Sequence, residues 1–264
     1  MNPSIEAADG PFVVVGGRRL ISFAGCDYLG LARDPAVVAA AKGGLDRCGV
    51  GAGASRTTTG TWTAHLELER ALAAWMRAEG AVLLPSGYVA GAALAAALAP
   101  DVDVVLLDAG AHPSLRDAAT LTRLPVVEYA HFDAAAVRRA ARGRRPLVIT
   151  DAVHVASGRL APLPALRDVV DRADGRLIVD DAHGVGVLGG RGRGAVDALS
   201  AAGRRVHVAG SLSKALGAHG GFVVGTRVLC ADVRARFAAY AGATPIPPST
   251  AAAAVAAVRL ASKD

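Results

Sequence analysis

Seven short apolar runs punctuate the chain: Ala81–Leu84, Val104–Asp108, Val126–Tyr129, Leu147–Thr150, Leu177–Asp180, Val206–Ala209 and Phe222–Val224. Most are continuously apolar rather than alternating, the pattern of strands covered on both faces. Between them, apolar residues recur at helical spacing and predict helices over His65–Ala78, Val89–Leu98, Ser114–Thr122, Ala134–Ala141 and Leu163–Ala173. Strands alternating with helices predict an α/β protein: a three-layer α/β/α arrangement around a mostly parallel seven-stranded sheet. From Val233 the pattern is helical and Ala-rich and reaches Asp264 in mid-pattern. The expected organisation is an N-terminal segment over 1–48, a major domain over 49–250, and the start of a further C-terminal domain over 251–264.

Composition changes this picture little. The longest uncharged stretch, Ala81 to Pro100, has the length of a membrane span, but Pro85 and Gly87 break it early and it reads as a strand and a buried helix. The first ten residues have neither a basic nor an apolar block and do not read as a signal peptide. Three cysteines, Cys26, Cys48 and Cys230, show no metal-ligand spacing, so no metal site is expected and a reducing, cytoplasmic setting is the simplest reading. The formal charge is +6, and its densest cluster is Arg138-Arg-Ala-Ala-Arg-Gly-Arg-Arg145. No aromatic residue interleaves with it, which argues against a nucleic-acid surface. Two readings stay open: a solvated helix end, where cations suit the C-terminal dipole, or a patch that attracts an acidic substrate such as a CoA phosphate.

Candidate chemistry concentrates at the predicted strand ends, where open α/β sheets bind ligands. Ser86, Gly87 and Tyr88 follow the first run, Asp108 and His112 the second, Asp151 the fourth, Asp180 and His183 the fifth, and Ser211 to Lys214 the sixth. Backbone N–H groups at Ser86-Gly-Tyr88 stand before a helix, where a phosphate can be held. His112 precedes another helix and can stack on a ring or cap that helix. Asp180 and Asp181 are adjacent, so in strand geometry only one faces a site, and Asp180 is favoured because His183 follows three residues later. Lys214 is one of only three lysines, with Lys42 and Lys263, and lies among small and hydroxylated residues. A Schiff-base lysine with an acidic partner for a pyridine nitrogen is the protein half of a pyridoxal phosphate (PLP) site. His65, His131, His154, His207 and His219 have no comparable setting and read as structural.

The ordered series Asp27-Tyr-Leu-Gly-Leu31, Gly49-Val-Gly-Ala-Gly-Ala-Ser55 with Thr59-Gly60, His65-Leu-Glu-Leu-Glu69, Ser86-Gly-Tyr88, His112-Pro-Ser-Leu115, Ala161-Pro-Leu163, Val179-Asp-Asp-Ala-His-Gly184 with Gly192-Arg-Gly194, Ser211-Leu-Ser-Lys214 and Thr244-Pro-Ile-Pro-Pro248 runs almost end to end. It resembles the α-oxoamine synthases, within the fold-type-I PLP enzymes of aminotransferase class I and II. The resemblance implies catalytic roles for Lys214, His112, Asp180 and His183: Lys214 linked to the cofactor, Asp180 at the pyridine nitrogen, His183 near the ring hydroxyl and His112 stacked on the ring. Ser86, Gly87, Tyr88 and Ser211 would surround the cofactor, with Ser211 near its phosphate. Thr244 would reach the phosphate of a neighbouring subunit, implying a homodimer with shared sites. The implied reaction condenses an amino acid with an acyl-CoA, giving a 2-amino ketone or a 2-amino-3-oxo acid. No nucleic-acid or membrane partner is implied.

The sequence also departs from the pattern. Cys26 stands where an Asn is usual, Val155 where a hydroxyl is expected, and Gly91 where an Asn follows the phosphate turn. No residue here takes the role of the Arg with which the family's C-terminal domain anchors the substrate carboxylate. A transamination or decarboxylation on the same scaffold, or an inactive PLP-binding chain, are the alternatives.

Overall fold

In the computed structural model, residues 4–263 are described. A three-stranded antiparallel meander opens the chain: β1 (Ala7–Asp9), β2 (Phe12–Val15) and β3 (Arg18–Ile21). Helices α1 (Pro35–Cys48) and α2 (Thr63–Trp75) follow. Then come β4 (Gly80–Leu84), α3 (Ala90–Leu98), β5 (Val104–Asp108), α4 (Pro113–Leu121), β6 (Val126–Tyr129), α5 (Ala134–Ala140) and β7 (Pro146–Asp151). The rest is α6 (Leu163–Arg172), β8 (Arg176–Asp180), α7 (Ala195–Ala198), β9 (Val206–Ser211), β10 (Gly221–Gly225), α8 (Arg227–Arg236), α9 (Ala238–Gly242) and α10 (Pro248–Ala261).

All seven apolar runs are strands of one sheet, ordered β4-β10-β9-β8-β7-β5-β6. Only β10 runs against its neighbours, and the five strands from β9 to β6 are parallel throughout. The continuous apolar character now has its cause. Ala81, Leu83, Val104, Leu106 and Val148 pack into one hydrophobic cluster with α2, α6 and α10. Their alternating neighbours Val82, Leu84, Val105, Leu107, Leu147 and Ile149 pack into a second cluster with α3, α4 and α8. Successive side chains point to opposite faces, and both faces are covered. The uncharged stretch divides between β4 and the almost wholly buried α3, and no helix among the described residues is long and apolar enough to cross a membrane.

The meander and α1 lie in the segment for which periodicity predicts no element. Their local signals are short: β3 reads Arg-Arg-Leu-Ile and is exposed throughout. For α1 the sign is Asp34 followed by Pro35; the Asp34 carboxylate accepts from the amides of Ala36 and Val37 and caps the helix. Helix α1 lies so close to α10 that a Cβ on Gly44 would come within 2.6 Å of the Ser249 Cα. Helix α10 is thus packed on α1 and α2 and shares the cluster that covers one face of the sheet.

Candidate active site

The parallel strands all end on one side of the sheet, and the segments that follow them enclose a cavity of about 410 Å³. Ser86, Gly87, Tyr88, His112, Asp151, His154, Val155, Asp180, His183, Ser211 and Lys214 line it. In register, Asp151 at the end of β7 lies beside Asp180 at the end of β8, which lies beside Ala209 of β9. The antiparallel β10 bridges the far side: Gly221 pairs with both Leu84 and Ser211, bringing the turn after β4 against the end of β9.

That approach is tight. A Cβ on Gly87 would stand 2.8 Å from Ser211 Oγ, and one on Gly221 would stand 2.4 Å from the Ser86 carbonyl oxygen. Ser86 Oγ accepts from the Tyr88 amide (3.2 Å) and Ser211 Oγ from the Ser213 amide (3.1 Å), so both hydroxyls keep their own hydrogens for an incoming anion. Tyr88 donates to Asp117 (2.6 Å) and meets the His112 ring edge-on at 6.1 Å. Beyond Tyr88 lies a second hollow of about 410 Å³, lined by Val89, Ala92, Thr120 and Leu121. Gly91, one of the departures, packs under Leu115: a Cβ there would approach Leu115 Cδ2 to 2.7 Å, so a larger side chain requires Leu115 to move.

His112 caps the helix and also borders the cavity. It is the N-cap of α4, its Nδ1 accepting from the Ser114 amide (3.2 Å), and its ring borders the cavity. Its own amide donates to Asp151 Oδ2 at 2.8 Å. Asp151 is the cavity residue that the sequence leaves without a role; its place at the end of the fourth run was the signal. Burial and the neighbouring Asp180 push its carboxyl up to about 7, while the His112 amide favours the charge.

The adjacent acids divide as strand geometry requires. Asp180 borders the cavity, one oxygen accepting from the Ala182 amide (3.0 Å). Burial raises its pKa, and that amide, Lys214 and His112 counter this. Asp181 points away, is fully buried, and accepts from the Ala195 amide (2.8 Å) at the start of α7. Burial pushes it up to about 7, against the amides of Val196 and Ala195. His183 borders the cavity while its Nδ1 meets the Tyr28 hydroxyl at 2.7 Å. Burial, with Lys214 and His112 nearby, pushes His183 down to about 4, so it is neutral at pH 7. The half-buried Lys214 reaches the cavity from the turn after β9, and among the described residues its ammonium makes no hydrogen bond or ion pair.

Two expectations are redrawn and one open choice gains a location. Asp108 follows the second run but does not reach the cavity. It is 1% exposed and accepts from Gly110, Phe132, Thr150 and His131. His154, read as structural, lines the cavity, with its ring 4.6 Å from His131. The arginine cluster lies at the opposite end of the sheet, beside the starts of β5, β7 and β8, and does not border the cavity. His65 is structural as read: its Nε2 donates to the Ile246 carbonyl (2.8 Å) while Nδ1 accepts from Trp62 (3.1 Å). Thr244 is exposed, between α9 and α10, outside the cavity lining.

A family profile described as Aminotransferase class I and II matches residues 18–263. The chain belongs to the aminotransferase class I and II family. Among its relatives within that family, an 8-amino-7-oxononanoate synthase of Anaeromyxobacter sp. (strain K) is 43% identical over 260 residues, covering 97% of this chain and 65% of the relative. A putative 8-amino-7-oxononanoate synthase of Trichormus variabilis is 38% identical over 266 residues, covering 99% of this chain and 69% of the relative. The family fold is shared with a serine palmitoyltransferase variant from S. paucimobilis, solved with PLP and myriocin bound. Its TM-score is 0.94 at 29% identity, over 99% of this chain and 67% of that one. These relatives place the chain in the α-oxoamine synthase branch of the family, and the chain spans about two-thirds of their length.

Proposed function

We propose that this protein binds PLP in the cavity at the strand ends and condenses an amino acid with an acyl-CoA. The observation that carries the reading is the convergence of an unpartnered Lys214 amine and the Asp180 carboxylate on one cavity that also holds hydroxyl and amide donors. The residues present fit the cofactor. Ser86 and Gly87, at the turn leading into the nine-residue α3, and Ser211, at the end of β9, would hold the phosphate. Asp180 would hold the pyridine nitrogen: a buried carboxylate gains most from a cationic partner, which restores its charged form. His112 and Tyr88 would cover the ring, and His183 would stand at its hydroxyl.

PLP, when bound, supplies an electron-poor ring that withdraws electrons from a bond at the amino acid's α-carbon. The chain does the rest. Lys214 Nζ would anchor the cofactor, and its amine lines the cavity where it could carry a proton. His183, neutral at pH 7, holds a proton on one ring nitrogen without adding charge. The apolar hollow beyond Tyr88 gives room for part of the second substrate beside the cofactor. The same reading includes a homodimer, with Thr244 reaching the partner's cofactor phosphate, and a cytoplasmic setting, which the three free cysteines suit.

The test has two stages. The purified chain mixed with PLP should develop a visible absorption band that needs Lys214 and is fixed by borohydride. Incubation with amino acids and acyl-CoAs should then release free CoA; a band without any CoA release, across a broad panel, would leave PLP binding and remove the condensation. Transamination is the second reading, because Val155, 63% exposed at the cavity wall, brings no hydroxyl there. Conversion of the cofactor to its amine form by an amino donor would favour it.

A further inference from the structure

Tyr28 and His183 are 155 positions apart in the chain, yet the phenol oxygen lies 2.7 Å from His183 Nδ1. Their rings are tilted by 47° with centroids 6.1 Å apart, so they meet through the oxygen and the ring nitrogen and not face to face. His183 lines the cavity and Tyr28 does not. The Nδ1 edge therefore points out of the cavity, toward the N-terminal segment, and leaves Nε2 as the ring nitrogen on the cavity side. The Cys26 thiol is a second neighbour of the same phenol.

Two proton arrangements satisfy this contact. Either the phenol donates to Nδ1 and Nε2 carries the ring hydrogen, or Nδ1 donates to the phenol oxygen and the phenol turns its hydrogen to the Cys26 sulfur. Sulfur is a weak acceptor and imidazole nitrogen a strong one, so the first arrangement is the stronger. It also keeps the phenol protonated: burial and Cys26 push Tyr28 up to about 12. We infer that Tyr28 is a positioning residue, whose phenol donates to His183 Nδ1 and so holds His183 in the tautomer that presents an Nε2–H donor to the cavity. The hydrogen bond made by one imidazole nitrogen decides which of the two is protonated. Without it, His183 can present a lone pair to the same place, and an anionic oxygen in the cavity loses a donor.

The inference concerns the same site as the proposed condensation but does not rest on that reaction. Side-chain nitrogen NMR of the chain labelled with 15N-histidine, before and after addition of PLP, reads the tautomer directly. His183 is assigned by the loss of its signals in His183→Gln. The expected wild-type pattern is a pyridine-like Nδ1 and a protonated Nε2. Tyr28→Phe should collapse this to an averaged pair, while His112, whose Nδ1 is held by the Ser114 amide, keeps its pattern and serves as the folding control. Cys26→Ala should leave the His183 tautomer unchanged. A protonated Nδ1 in the wild-type chain overturns the inference whether or not Tyr28→Phe folds. So does a Tyr28→Phe chain whose His183 pattern is unaltered. Loss of CoA release with the wild-type pattern intact would count against the condensation and not against Tyr28.

Discussion

The two ends of the seven-stranded sheet both gather charged residues around a hollow, and they do opposite things with them. At the carboxyl ends of the strands, Asp151, Asp180, His183 and Lys214 share a cavity of about 410 Å³, and burial shifts three of them away from their ordinary titration. At the other end, Arg138, Arg142, Arg144, Arg145 and Arg172 surround a larger hollow of about 620 Å³. There Arg145 is paired with Asp103, and helices α5 and α6 end with their carbonyls toward the cluster. Guanidinium groups at helix C-termini offset the dipole and stay in water. The comparison teaches that neither charge density nor volume identifies the working end. What distinguishes it is charge held out of water without a full set of partners, next to backbone amides that lack an intrahelical acceptor.

The comparison is sharpest for Lys214. Lys214→Ala should abolish the visible band given by the wild-type chain with PLP, a complete loss, because among the described residues no other side chain lining the cavity carries an amine. The glycines separate the two ends next. Gly87→Ala crowds Ser211 and should cost about 1–3 kcal/mol in urea unfolding and weaken PLP retention. Gly143→Ala, at the arginine end, meets nothing within 4 Å but has a φ of +69°, so its cost is backbone strain alone, about 1 kcal/mol, with PLP retention unchanged.

The buried acids give a smaller, pH-dependent effect. Asp151 and Asp181 are pushed up to about 7, above the value of about 4 expected in the unfolded chain. The folded state therefore binds more protons between these values, and their contribution to stability is present below about pH 4 and lost as pH rises to about 7. Asp181→Asn should flatten that decline in denaturant midpoints measured from pH 4 to 8, gaining on the wild type as pH rises. A decline as steep in Asp181→Asn as in wild type would remove the assignment. The smallest effect is expected at the far end: Arg142→Ala should change stability by no more than about 0.5 kcal/mol and leave the visible band intact. A lost band there would break the comparison.

Much of this arrangement is legible in the sequence, for identifiable reasons. A strand buried on both faces needs apolar residues along its length, so β5 can be read to the residue. Polar residues that interrupt such runs at their carboxyl ends must face a ligand, a cap or solvent, which is why Asp180, His112 and Lys214 stand out. The same rule does not say which of the three applies. Asp108 and Asp181 also stand at or just past strand ends but are capping and anchoring groups, because their amide partners come from segments whose paths periodicity does not encode.

What the sequence determined by itself is the set of elements from β4 to β10 apart from the short α7, the two-sided burial of the central strands, and the strand ends at which chemistry collects. These depend on the period of side-chain direction, a property of a few consecutive residues. Only the tertiary structure decided that β10 runs antiparallel between β9 and β4, setting Gly87 against Ser211. Only it decided that Asp151 holds the His112 amide, and that Tyr28 reaches His183 from the other end of the chain. Those contacts close long loops, and the order in which strands meet is fixed by the packing of both sheet faces at once rather than by any local pattern.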